Sequence, residues 1–327
     1  MPLRARLRFA IASLMGLILV GGVAKADEAD EVSNVIVAHM RERLGSVPPP
    51  TQQDGARIAS FVRYIQKTVY YPTSLHDLKA SAMTAIDAVD SPQDASSLVQ
   101  AVITGVVDSI GHGARLLTTL GADAPAEGEG TSSRAIGSLW VVPLKSMDVP
   151  TDNAIHNCAD LARYVGQPSG GTTGLVLDLR GNEGGPLTDS SCLASLFMKK
   201  GQSLFQVLGK QGKVVKYESE PTASSLMDLP VAVLIDSHTD GGGLLVAAIL
   251  QDHHRATVIG EQKATINGAV SSLVFPPGAN RGVILPTGEI LLPDKRPLAA
   301  GVRVDVAMSA HDDDALMSVA RTYVAGR

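Results

Sequence analysis

Apolar residues recur at helical spacing through the first third of the chain. Over 31–44, 56–70, 75–89 and 94–109 they fall three and four apart, as Ile58, Phe61, Val62 and Ile65 do, and then Leu98, Val102, Ile103 and Val106. Each stretch predicts an amphipathic helix. Pro48, Pro49, Pro50, Pro72 and Pro92 mark the breaks between them. The stretch GADAPAEGEGTSSR (121–134) then loses all apolar periodicity and reads as a flexible linker.

Beyond it the period changes. IGSLWVV (136–142) predicts a strand, and AIHNCADLARYV (154–165) a helix with Ile155, Cys158, Leu161 and Val165 on one face. GLVLDL (174–179) and VAVLID (231–236) are short continuous apolar runs, as in strands covered on both sides. Helices are expected at 187–198 and 243–254, and shorter β runs at 256–260, 270–275, 281–285 and 288–293. DDDALMSVARTYVA closes the chain as a helix, its acids at the favourable N-terminal end. Strand and helix alternate, so the fold class is α/β with parallel pairing. The expected organisation is a leader over 1–26, a helical N-terminal domain over 27–120, the linker over 121–135 and an α/β core over 136–327.

The leader rests on three basic residues, Arg4, Arg6 and Arg8, followed by an apolar run from Phe9 to Val23 and the small-x-small site Ala24-Lys25-Ala26. Fifteen residues are short for a membrane span, so cleavage after Ala26 and a periplasmic or secreted mature protein are expected. An uncleaved segment would instead anchor the chain to a membrane. Without Arg4, Arg6, Arg8 and Lys25, 24 of the 28 basic residues stand against 33 acidic ones, a net charge of −9. No basic cluster interleaved with aromatics is visible, which argues against a nucleic-acid partner. The two cysteines, Cys158 and Cys192, fit either a disulfide of an exported protein or two separate buried thiols. No Cys/His pair has metal-ligand spacing, and neighbouring His253 and His254 cannot share a helix face, so neither a metal nor a cofactor is expected.

The chemistry concentrates in IDSHTDGGGLLVAAILQDHHRA (235–256), a strand end, a polar elbow with three glycines, and a helix. Such an elbow presents unpaired N–H groups at a helix N-terminus, where negative charge is stabilised. GLVLDLRGNEGGPLTDSSCLASLFM, LQDHHRATVIGE and LPDKRPLAAGVRVDV, in that order, resemble segments of the C-terminal processing (tail-specific) peptidases. VVDSIGHGARLL is similar to the stretch near that family's aspartate-proline-histidine turn. The resemblance implies a crotonase-like α/β spiral core. It also implies a peptide-binding PDZ insert, for which this chain has only the linker.

The family hydrolyses peptides with a serine activated by a lysine. Aligned on LQDHHRA, the serine position reads Gly241, the lysine position Ile266 and that of its orienting glutamine Val270. Glycine cannot attack and isoleucine cannot take a proton. The resemblance also implies an oxyanion hole of backbone N–H groups, which outlives side-chain loss, at Gly184 and Gly185 and at Gly241 and Gly242. Two functions are therefore expected of the site. The first is a non-catalytic relative that binds a peptide tail, a carboxylate ligand or a partner protein. The second is a peptidase with a displaced dyad, in which Thr239 attacks and Lys263, 24 residues on, is the base. Asp178 and Arg180 read as a structural pair at a strand end, and Trp140 as a core residue.

Overall fold

The computed structural model describes residues 27–117, 132–147, 158–168, 170–220, 225–262 and 266–325. The leader, most of the linker and Lys263 lie outside them. Four helices open the fold: α1 (Glu28–Leu44), α2 (Gln52–Thr68), α3 (Leu75–Asp87) and α4 (Ala95–Ile110). Their starts are written in the sequence. The Asp27 and Asp94 carboxylates accept from the first turns of α1 and α4, and Thr51 with Asp54 forms a reciprocal capping box on α2. Their apolar stripes, among them Ile36, Met40, Ile58, Phe61, Val102 and Val106, close into one cluster. That cluster also takes in Val283 and Leu285 from far along the chain.

Strand β1 (Arg115–Leu116) follows, then β2 (Arg134–Ile136) and β3 (Leu139–Pro143). The single strand expected at 136–142 is a hairpin: Arg134 and Ala135 already pair with Val141 and Trp140, and Gly137 turns the chain at φ 62°. Next come α5 (Cys158–Val165), β4 (Gly174–Asp178) and α6 (Leu187–Ser195). Two strands with no strong sequence signal follow, β5 (Ser203–Gly209) and β6 (Val214–Glu218). The remainder is β7 (Val231–Ile235), α7 (Gly241–Asp252), β8 (Ala256–Gly260), β9 (Ala269–Val274), β10 (Val283–Leu291), β11 (Val306–Ala307) and α8 (Asp313–Ala325). The two runs expected at 281–285 and 288–293 are one strand, β10, with a register shift between Pro286 and Gly288.

The main sheet has the order β11-β8-β7-β4-β3-β2, parallel up to β3 and antiparallel at the β2 edge. Its strands are buried on both faces because each face is covered. Leu175, Leu177, Val231, Val233 and Ile235 point to the α6–α7 side, while Val176, Ala232 and Leu234 meet Leu316, Ala320 and Val324 of α8. Helix α7 is buried from Gly242 to Leu250, and Leu244 to Leu250 all belong to the larger cluster, so that stretch is apolar all round. The second sheet runs β1-β10-β5-β6, with β9 on β10. One of its faces, Leu116, Val274, Val283 and Leu285, packs on the four helices. The alternate residues Arg115, Leu273 and Ile284 therefore face the other way.

Cys158 and Cys192 form a disulfide with Cα atoms 5.0 Å apart, which fastens α5 to α6. Trp140 packs against the larger cluster, and its indole N–H donates to Val165 O at 2.8 Å. Arg180 forks onto the Asp178 carboxylate at 2.7 and 2.8 Å and reaches Asp313 at 2.6 Å. Among the described residues no helix is long and apolar enough to cross a membrane.

Candidate functional site

Parallel neighbours β4 and β7 end side by side, so the turns that leave their carboxyl ends meet; in open α/β sheets that crevice is the usual ligand position. The first turn carries Gly184 and Gly185, and the second carries Gly241 and Gly242. Asp236 ties the two together. Its carboxylate accepts from Gly181 N–H at 2.9 Å, His238 N–H at 3.0 Å, Thr239 N–H at 2.8 Å and the Thr239 hydroxyl at 2.9 Å. Burial works to raise the Asp236 carboxyl, but these donors outweigh it and hold the group below the ordinary carboxylate range. Asn182, fully buried, adds a second tie: its amide donates to Leu144 O, its Oδ1 accepts from Gly184 N–H, and its backbone O accepts from Asp240 N–H.

The glycines pack so closely that side chains have no room. A Cβ on Gly242 would sit 2.5 Å from Ser190 Oγ and 3.2 Å from Met147 Cγ, and one on Gly185 would sit 2.6 Å from Met147 Cβ. Gly241, the first residue of α7, has φ 47°, and a Cβ there would lie 3.0 Å from Glu183 O. Gly241, which the resemblance aligns with the nucleophile, thus takes a backbone conformation that L-residues rarely adopt. Ile266 and Val270, which the resemblance aligns with the base and its orienter, pack against the larger apolar cluster.

The four backbone N–H groups divide. Gly184 donates to Asn182 Oδ1 at 2.9 Å and Gly241 to Asp240 Oδ1 at 2.8 Å. Among the described residues, the N–H groups of Gly185 and Gly242 have no acceptor. They are near neighbours: a Cβ on Gly242 would lie 3.5 Å from Gly185 N. Both glycines line a cleft of about 380 Å³ between the elbow and the second sheet. Its other walls include Glu183, Asp240, Asn267, Val270, Ser271, Ile284 and Arg115. Arg115 is exposed, and no described carboxylate pairs with it.

Arg115 was invisible as a site residue in the sequence, because nothing local signals that β1 crosses to β10. Its pairing partner Ile284, which brings it to the cleft, lies far along the chain. Thr239 is placed otherwise than a nucleophile requires. It is fully buried and absent from the cleft walls. Its hydroxyl accepts from Asp236 N–H at 3.0 Å and lies 2.9 Å from both Leu179 O and the Asp236 carboxylate. Lys263 lies outside the described residues.

A model of peptidase family S41 matches residues 141–308. The carboxy-terminal-processing protease of Bartonella bacilliformis is 32% identical over 143 residues, which cover 43% of this chain and 32% of that one. The carboxy-terminal processing protease CtpA of Bacillus subtilis is 34% identical over 93 residues, covering 28% and 19%. The chain therefore spans no more than a third of the length of these relatives. Among solved structures, a lipoprotein from Streptococcus agalactiae superposes with a TM-score of 0.59 at 13% identity, over 86% of this chain and 100% of that one. At that identity the likeness concerns the fold alone.

Proposed function

The chain belongs to peptidase family S41, and from that premise we propose that it is a non-catalytic member that holds the carboxylate end of a peptide. One observation carries the reading: the unpaired N–H groups of Gly185 and Gly242 line one cleft with Arg115, while the aligned nucleophile position is Gly241. An oxyanion hole and a carboxylate site ask for the same donors, so losing the nucleophile leaves a binder. Arg115 supplies the positive charge that a carboxylate needs and a neutral carbonyl does not. The buried Thr239 hydroxyl, engaged on three sides, also favours binding over attack. The Cys158–Cys192 disulfide and the leader-like first 26 residues support an exported mature protein.

The test is a titration with a hydrophobic-ended peptide and its C-terminal amide. Charge-assisted bonds contribute ~1.5–3 kcal/mol each, so the acid should bind about 10- to 100-fold tighter, with affinity on the order of micromolar. Arg115→Ala should remove most of that preference. Equal binding of acid and amide sinks the carboxylate reading. Turnover of the peptide or of casein, lost in Thr239→Ala or Lys263→Ala, would restore the enzyme.

A further inference from the structure

The cleft does not stop at the glycine corner. Ala269, Val270 and Ser271 of β9 form part of its wall, and β9 continues away from it as a strand with one neighbour only among the described residues. Which backbone groups face that open side follows from the ladder. Pro286 O accepts from Tyr70 N–H at 2.9 Å, so it points away from β9. The Ser271↔Pro286 pair is therefore a non-hydrogen-bonded pair, and by alternation so is Leu273↔Ile284. The N–H and C=O groups of Ser271 and Leu273 are turned to the free edge. Among the described residues no strand pairs with them.

The side chains beside that edge are unusual for an exposed strand. Leu273 is 46% exposed and Phe275 64%. No charge or proline guards the edge between Ala269 and Phe275, the usual devices against unwanted pairing. Leu273 stands in register with Ile284, and Ile284 with Arg115, so this apolar row on the sheet runs directly to the cation of the cleft.

We propose that an extended peptide adds to the outer edge of β9 as an antiparallel strand, its free carboxylate in the glycine corner and its apolar side chains beside Leu273 and Phe275. This inference rests on the carboxylate reading above and specifies its ligand. The direction follows from placement: the corner lies at the Ala269 end of β9, so a chain ending there runs toward it from the Phe275 end. At ~3.4 Å per residue, the edge from Ser271 to Phe275 reads about four residues upstream of the carboxylate. Backbone pairing through Ser271 and Leu273 makes recognition tolerant of sequence. Selectivity falls on every second side chain, where a bulky apolar group covers the exposed row.

The probes are a dansylated hexapeptide of alternating leucine and alanine with a free carboxylate, its C-terminal amide, and two forms N-methylated at one or the other set of alternate amides. The peptide acid should bind, methylation of one set should weaken binding at least 10-fold, and methylation of the other should leave it unchanged. Ser271→Pro removes an outward N–H without breaking a ladder bond, so it should weaken acid and amide alike while unfolding as the wild type does. Methylation effects without parity, or full binding by Ser271→Pro while Arg115→Ala still removes the acid preference, overturn strand addition and leave the carboxylate corner standing. Parity retained with equal binding of acid and amide supports the strand and removes the corner. A wild type that sediments as a dimer, becomes monomeric in Ser271→Pro and binds no peptide assigns the edge to a second copy and overturns the proposal.

Discussion

Placing a serine at position 241, which the resemblance aligns with the family's nucleophile, should not create a peptidase; it should destabilise the fold. Gly241 sits at φ 47°, in the left-handed region, and the new Cβ would lie 3.0 Å from Glu183 O and 3.3 Å from Gly184 Cα. Left-handed backbone costs an L-residue ~1–2 kcal/mol. Both contacts are to backbone in a turn held by Asn182 and Asp236, so relief means shifting that turn by a few tenths of an ångström, for about another 1 kcal/mol. The sum is ~2–3 kcal/mol for Gly241→Ser. With ~2.1 cal/mol/K of unfolding entropy per residue and roughly 300 folded residues, Tm should fall by about 3–5 °C. Urea unfolding of the wild type, Gly241→Ser, Gly241→Ala and Gly241→Asn checks the attribution, since asparagine enters the left-handed region most readily and should lose least. The serine variant should also release no peptide from casein, because Ile266 offers its hydroxyl no base. A Gly241→Ser protein as stable as the wild type would refute the backbone argument, and turnover by it would refute the functional one.

Thr239→Val keeps the shape but leaves Asp236 N–H without an acceptor in a buried turn, while Leu179 O keeps its bond from Asn182 N–H, and should destabilise by about 1–3 kcal/mol in denaturant melts. The Cys158–Cys192 disulfide closes a loop of sequence separation 34, worth ~3.8 kcal/mol in the chain-entropy description. Thiol titration of the unfolded protein should therefore find no free thiol before reduction, and reductant should shift the urea midpoint down. Asp236 has a folded pKa below its unfolded value of ~3.9. Its contribution is complete above that value and is lost as pH falls through the folded one, so acid melts of Asp236→Asn should show a shallower loss below about pH 4 than the wild type.

Much of this was legible because local physics wrote it. The apolar stripes of α1 to α4 with the prolines between them, the apolar runs at β4 and β7, and the apolar stretch of α7 each carry a signal within a few residues. The glycine corner was legible too, since glycines stood where two parallel strands would end. What stayed hidden depends on long-range pairing. Strands β5 and β6 mix Ser203, Gln206, Lys216 and Glu218 with their apolar residues, because only part of that hairpin is buried, and so carry no clean alternation. Gly137 turned one expected strand into two. Which glycine N–H groups were open could not be read from sequence either. That depended on Asn182 Oδ1 turning to Gly184 and Asp240 Oδ1 to Gly241. Arg115 needed the pairing with Ile284.

That last pairing has a consequence for how the molecule is made. The helices at the start of the chain close their apolar cluster with Val283 and Leu285, and among the described residues β1 finds its only partner on the same late strand. At ~5–20 residues per second, the roughly 170 residues between Arg115 and Ile284 represent about 10–30 s of synthesis. During that interval the helices carry an unsealed apolar face and the cleft has no cation. The binding corner therefore comes into existence late and all at once, when a strand from near the end of the chain seals the part made first. A chain interrupted before Val283 has neither a complete helical core nor an assembled site.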